Sequence, residues 1–299
     1  MTIYRGPFSR ALAPGFRRVL FDEYKQRPIE GNKLVNMGSM QRAWFDDWQV
    51  AGFGTLLEKP EGAKIIYQDP MPGTPKRYTA TTYALGFRIT EEMMEDDLYG
   101  IVGNKLSRAL GRSVRDNFEL VVASILNNAF NPAFSGFESG VPLVSTLHTK
   151  ITGGTQSNRP AADVDLSLVS LQAAIEAFHG WTDEAGMQAV FTPSKLVVGV
   201  SNLWTATVLL SSEQVPGSNF NDPNVVAKMG IQPFIYHYLT DPDAWFLISD
   251  DHDMNYFDRI NPRFKNTDDF DTGDAKFAVR RRNAAGFGDW RGVYGSPGI

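Results

Sequence analysis

The 299-residue chain contains no cysteine, which excludes a disulfide framework, a thiolate nucleophile and any Cys-ligated zinc or iron-sulfur site. Histidine is scarce, with four residues far apart in the sequence and little material for a metal or proton-transfer site built on imidazole. Apolar runs are short. None approaches the ~18 residues of a membrane helix, and Met1 to Ser9 hold no apolar stretch of signal-peptide length. The chain is therefore expected to be made and kept in the cytosol, with no membrane partner, and the lack of cysteine fits folding in a reducing compartment. Positive charge is in deficit, with 29 Lys and Arg against 34 Asp and Glu. A dedicated nucleic-acid binder would carry a strongly basic domain, although a surface that merely faces DNA needs no such excess.

What is present is ordinary globular chemistry, 42% hydrophobic and 21% charged, long enough for one large domain or two smaller ones. Residues 1 to about 55 interleave Pro, Gly and basic residues with isolated aromatics (Phe8, Phe16, Phe21, Trp44, Phe45, Trp48). They read as an extended arm with a short helix near Phe16 to Tyr24, its aromatics buried either in a partner or against the chain's own core. In residues 56 to 90, Lys64 to Gln68 and Lys76 to Ile89 favour strands and flank the Pro/Gly-dense Asp69 to Pro75, which predicts a long hairpin with a stiff loop. Such a hairpin buries little by itself and is expected to lie against a neighbour.

From Thr90 the period changes to three or four residues through Met94, Leu98, Val102, Leu106, Leu110, Val114, Phe118, Val121 and Ile125, one stripe of a helix reaching about Asn128. Thr90 is the expected N-cap, the acids from Glu91 to Asp97 suit the helix dipole, and Gly100, Gly103 and Gly111 predict a break near Tyr99 and Gly100. Residues 131 to 165 are a Gly/Pro/Ser-rich connection holding His148, for which hydrogen bonding within the loop is the expected role. Asp165 is the expected cap of a second helix through Leu168, Leu171, Ile175 and Phe178. Ala189 to Thr192 and Leu196 to Val200 read as strands, Ser201 to Ser211 as a third helix, and Gly230 to Leu239 with Ala244 to Ser249 as a strand pair. Helices mixed with local hairpins indicate an α+β fold.

Chemistry is sparse. The sequence has no phosphate loop, no intact G-x-G-x-x-G after a strand, no H-E-x-x-H and no nucleophile elbow. Asp250-Asp-His-Asp253 has metal-ligand residue types, with Asp251 and Asp253 as weak candidates, but it lacks the EF-hand register. No catalytic residue and no cofactor are expected. At the C-terminus, Phe277 to Tyr294, with Arg280-Arg-Arg282 and Asp289-Trp-Arg-Gly292, follows an Asp-rich loop and reads as two strands around a Gly-containing turn.

Four blocks occur in a suggestive order: Ile89-Thr-Glu-Glu with Glu95-Asp-Asp-Leu-Tyr-Gly100, Pro142 to His148 with Gly153 to Asn158, Leu196-Val-Val with Asp243-Ala-Trp-Phe-Leu, and Arg280 to Gly292. Together they resemble the major capsid protein of tailed bacteriophages, of the Mu-like head-subunit kind. The resemblance implies the Hong Kong 97-type capsid fold: an N-terminal arm (1–55), an extended β-hairpin loop (56–90), a peripheral domain with a long spine helix and connecting loop (91–164), an axial domain (165–240) and a return to the peripheral sheet (241–299). It implies a structural subunit that assembles with itself as hexamers and pentamers into a virion shell around double-stranded DNA. A scaffolding protein, a portal and a decoration protein are expected partners, with assembly in the host cytoplasm. Residues expected at contacts between copies are Phe16, Trp44 and Trp48 in the arm, Tyr67, Met71 and Lys76 in the hairpin, and Arg280, Arg281 and Arg282 as partners for neighbouring carboxylates. Strand alternation would send Arg281 to the face opposite Arg280 and Arg282. Two alternatives stay open: a nanocompartment shell of the same fold, and a metal-dependent enzyme using Asp250 to Asp253 and His148.

Overall fold

The structure is a computed structural model and describes residues 8–62, 64–96, 101–215, 222–269 and 272–299. Along the chain come α1 (Phe8–Lys25), β1 (Asn36–Ser39), β2 (Trp44–Ala51), β3 (Met71–Thr79), β4 (Thr81–Ile89), α2 (Glu91–Asp96) and α3 (Ile101–Asn127). Then follow the short β5 (His148–Thr149) and β6 (Thr155–Gln156), α4 (Leu168–Gly180), β7 (Pro193–Val198), α5 (Leu203–Ser211), β8 (Gln232–Ile235), β9 (Trp245–Ser249), β10 (Met254–Asp268), β11 (Ala275–Phe287) and β12 (Val293–Ser296). The mixture of helices and sheets is the expected α+β class. Two compact units form: one from the residues up to Phe45, Thr79–Val122 and Tyr256–Ala285, the other from Asp46–Tyr78, Ala123–Asn255 and Gly286–Ile299. The expected axial segment 165–240 lies wholly in the second unit, whereas 241–299 is divided between the two.

In the first unit a four-stranded sheet in the order β1-β10-β11-β4 is backed by α1 and α3. β11 and β4 are antiparallel from Ala275 opposite Ile89 to Asn283 opposite Thr81. Phe277 and Val279 point into the core while Lys276, Ala278 and Arg280 are exposed, as a period of two requires. Phe16 packs with Ile89 and Phe277, and Leu20 with Leu110, Val114 and Val279. The first segment is therefore not the extended arm the sequence suggested. It forms a helix with Pro14 inside it, and its apolar side chains complete the chain's own core.

Glycine permits that packing. A Cβ on Gly103 would collide with the Phe16 ring, and one on Gly111 would lie 2.6 Å from the Leu20 carbonyl oxygen. These glycines are approach points for α1 and not breaks; the expected break at Tyr99 and Gly100 lies outside the described residues. The Thr90 hydroxyl accepts from the Met93 amide at 3.3 Å and caps α2 as expected.

The second unit holds the sheet β12-β9-β7-β8, in which β7 runs parallel to β8 and antiparallel to β9. The expected pairing of the strands near 232 and 245 does not occur. β9 is buried throughout and takes an inner position, while half-buried β8 takes the edge. The two C-terminal strands expected around a Gly-containing turn are β11 and β12, but they go to different sheets: β11 lies between β10 and β4, and β12 pairs with β9. Ala189 to Thr192 forms no strand. The cap of α4 is Ser167, in a reciprocal box with Ser170, whereas the Asp165 carboxylate accepts from the Ile299 amide at 2.9 Å.

The hairpin is shifted along the chain. β3 pairs with β2, and because Arg77 bonds Asp46 while Gly73 lies beside Gln49, the two run antiparallel. Met71 to Pro75, expected as a stiff loop, is strand, and Lys64 to Gln68, expected as strand, lies in the connection 52–70. Pro72 and Pro75 stand in a strand with a single partner, where a proline nitrogen on the unpaired edge removes no ladder bond.

Gly111→Ala tests the helix contact. On an exposed helix the change would stabilise by about 1 kcal/mol; here overpacking against Leu20 should make urea unfolding easier by about 1–3 kcal/mol, and a stabilised variant would refute the contact.

Candidate functional site

The residues expected at contacts between copies separate into two groups. Trp44 and Trp48 on β2, with Trp48 59% exposed, Met71 at the start of β3, and Tyr67, 87% exposed, all face solvent. The connection 52–70 adds Leu56, 98% exposed, with Leu57, Ile65 and Ile66. These large apolar side chains lie close along a segment whose described residues form no helix or strand. Lys76 is held within its own unit: its ammonium donates to the Ser135 carbonyl and lies 5.9 Å over the Phe134 ring, and burial lowers its pKa.

Two expected contact residues belong to the interior. Phe16 is 3% exposed and meets Phe277 edge-on at 5.2 Å, so its burial is already complete. Arg281, also 3% exposed, donates from Nη2 to the Tyr256 hydroxyl at 2.5 Å and to Asp258 at 2.9 Å, with the Phe118 ring 5.5 Å from its guanidinium. The alternation read from the sequence accounts for this: Arg280 is exposed, Arg281 is buried, and half-buried Arg282 donates to the Ala80 carbonyl at 3.2 Å.

The second unit has a polar centre that the sequence only hinted at. Asn158, fully buried, donates to the carbonyls of Leu143 at 2.7 Å and Val293 at 2.9 Å, and its Oδ1 accepts from the Ser145 amide. His148 lies against the same oxygen at 3.0 Å and against Glu138 at 3.1 Å, and stacks on Trp290 at 4.3 Å. This is the hydrogen-bonded loop role expected for His148. Arg291 donates to the Thr182 carbonyl at 2.9 Å and is paired with Glu184 and Asp289; burial alone would lower its pKa, but the two carboxylates hold it above the ordinary value. Glu184 in turn accepts from the Ile151 amide and from Gln49 of β2. Nothing in the spacing of Asn158, Glu184 and Arg291 announced this convergence.

Asp250 to Asp253 do not share a centre. Asp250 pairs with Lys195 at 2.7 Å, which holds its pKa low, whereas Asp253 accepts from the Asp289 amide at 2.8 Å and burial raises its pKa. His252 Nδ1 accepts from the Met254 amide. Among the described residues no three His, Cys, Asp or Glu side chains gather in a metal-binding arrangement, and no helix is long and apolar enough to cross a membrane.

One exposed feature escaped the sequence reading. Val200, Trp204 and Val208 recur four apart along α5 and the turn before it, with Trp204 75% exposed. The spacing was visible, but an apolar stripe normally faces a core.

The chain matches a family model described as phage capsid protein over residues 73–296. No curated protein matches it in sequence. Among solved structures it is similar to the subunit in the procapsid of bacteriophage JBD30 (16% identity, 97% of this chain and 75% of that one, TM-score 0.52). It also resembles a virus-like particle from Pyrococcus furiosus (10%, 95% and 98%, TM-score 0.54) and the capsid of cyanophage P-SCSP1u (11%, 88% and 86%, TM-score 0.55). At these identities the likeness establishes the fold, that of tailed-phage capsids.

Two predictions follow from the buried groups. Arg281→Ala strands Asp258 and should cost about 3–5 kcal/mol in urea unfolding, against less than about 0.5 kcal/mol for exposed Arg280→Ala; equal effects would refute the placement. Burial lowers the pKa of His252 to about 4. The unfolded chain, with its histidine near 6.5, takes up the proton first, so stability should fall as pH drops from about 6.5 to about 4, by up to about 3 kcal/mol. Melting scans of His252→Asn should show a shallower fall across that window; an unchanged slope would refute the assignment.

Proposed function

We propose, on the premise that this chain belongs to the phage capsid protein family, that it works by geometry, its copies joining as hexamers and pentamers into a closed icosahedral shell around double-stranded DNA. The chain is a structural major capsid protein of the phage head and its place is the virion. Kinship with Mu-like head subunits, assembly in the host cytoplasm, reliance on a separate scaffolding protein, and contact with a portal and a decoration protein are the finer parts of this reading, as is the lack of any enzymatic activity.

The observation that carries the reading is the exposed hairpin. Leu56, Leu57, Ile65, Ile66 and Tyr67 cap a two-stranded ribbon that also displays Trp48 and Met71. A ribbon of two strands is marginally stable alone, and large apolar groups gathered on it call for a covering surface. Another copy of the same chain supplies one at every position of a shell. Trp44, Trp48, Tyr67 and Met71 are the contact residues in this reading, and Phe16 and Arg281 are not. A metal-dependent enzyme at Asp250 to Asp253 has no such support, since Asp250, His252 and Asp253 are engaged by separate partners.

The test is deletion of residues 54–68 with a short Gly-Ser turn in their place, the full chain being produced together with its neighbouring genes. Wild type should yield closed particles hundreds of ångströms across by negative-stain electron microscopy, and the deletion should leave free chains or small oligomers. Normal particles from the deletion would refute the hairpin role; absence of particles from wild type would refute the shell. Assay of particle contents separates a genome from the enzyme cargo of a nanocompartment.

A further inference from the structure

The first unit carries an uncompensated basic surface on a chain whose charge is otherwise acidic. Tyr256, Asp258 and Phe264 of β10 turn toward the helices, where they meet Arg281 and Phe277, so the odd-numbered residues of β10 share the opposite face. That face holds Arg259, Arg263 and Lys265, and the neighbouring strand β11 adds Arg280 and Arg282. Among the described residues none of the five makes an ion pair. Further along the same ribbon, Lys276 is met by Asp269 and Arg88 by Asp274 at 3.6 Å, so local acids neutralise the turn end alone. Desolvation, with repulsion from Arg259 and Arg280, lowers the pKa of Arg282, as crowding of like charge requires.

We propose that this face of the β10–β11 ribbon, carried by Arg259, Arg263, Lys265, Arg280 and Arg282, is an electrostatic docking surface for an acidic face of a second copy of this chain. The inference rests on the shell reading and names one of its contacts. Charge complementarity identifies the partner: setting these five aside leaves 24 of the 29 basic residues to face 34 acidic ones, so the remainder of any copy is strongly acidic. A basic face meeting an acidic face elsewhere on an identical chain is a head-to-tail contact, which generates rings when the rotation closes. Complementary charge also fixes register and speeds encounter.

The test uses the full chain produced with its neighbouring genes and the triple variant Arg263→Glu, Lys265→Glu, Arg280→Glu, all at exposed positions. The variant should keep the wild-type melting temperature yet give at least tenfold fewer pelleted shells. Wild-type yield should fall in the same direction as salt is raised from 0.1 M toward 1 M, where screening shortens from about 10 Å to about 3 Å. If charge reversal lowers the melting temperature, the neutral variant Arg263→Gln, Lys265→Gln, Arg280→Gln is the comparison, with a smaller loss of shells expected. Wild-type yield from both variants would overturn the proposal. Should they also fail to retain a double-stranded DNA fragment that wild-type shells retain, the face belongs to nucleic acid instead. Absence of shells from wild type would refute the shell reading, and this inference with it, whereas shells from wild type and variants alike refute only this contact.

Discussion

The close approach of α1 to α3 is the contact on which the first unit depends. Two glycines on one face of α3, Gly103 and Gly111, let the Phe16 ring and the Leu20 backbone come within reach of the long helix. Only then do Phe16 and Leu20 fill the space beneath Phe277 and Val279. Each glycine costs about 1 kcal/mol of helix propensity relative to alanine, while full burial of a side chain such as Phe16 or Leu20 contributes about 1.5–3 kcal/mol. The balance favours the packed helix, and this is why a segment dotted with proline and glycine is ordered and not trailing.

Buried charge follows the same logic of internal satisfaction. Arg281 and Arg291 are each almost wholly enclosed and are met by carboxylates, carbonyls and aromatic faces of their own unit. A guanidinium removed from water stays charged and needs such partners to offset its desolvation, and breaking the set is far more costly than losing a surface pair. Groups committed in this way cannot also serve a neighbour. The arginines that make no ion pair among the described residues are those that strand alternation leaves on the other side of the sheet, Arg280 and half-buried Arg282 on β11 with Arg259 and Arg263 on β10.

Much of this organisation was legible in the sequence, for identifiable reasons. The α3 stripe from Leu106 to Ile125, the Thr90 cap and the outward and inward turns of Arg280 and Arg281 follow from periodicities of 3.6 and 2 that packing reinforces. The misplaced features share another cause: pairing is decided by competition among strands distant in sequence. β12 joins β9 because β11 has no free edge, and β8 yields the inner position to more apolar β9. Pro72 and Pro75 disguised a strand because their cost depends on whether a second partner exists, which local sequence does not record. The cluster of Asn158, His148 and Trp290 was legible only in part: hydrogen bonding of His148 within its own loop was expected, whereas Trp290 joins it only after the fold has formed.

On the proposed reading the exposed hairpin is a contact whose energy lies close to the cost of association. Gross burial of Leu56, Leu57, Ile65, Ile66 and Tyr67 contributes on the order of 10 kcal/mol. Holding two free chains together costs an estimated 4–15 kcal/mol in lost motion, before any ordering of the irregular 52–70 segment. A single hairpin contact therefore sits near balance, and an isolated pair of chains gains little from it. If each copy both gives its hairpin and receives one, the copy that closes a ring forms two contacts against one loss of free motion. Marginal contacts of this kind become decisive only when the ring closes.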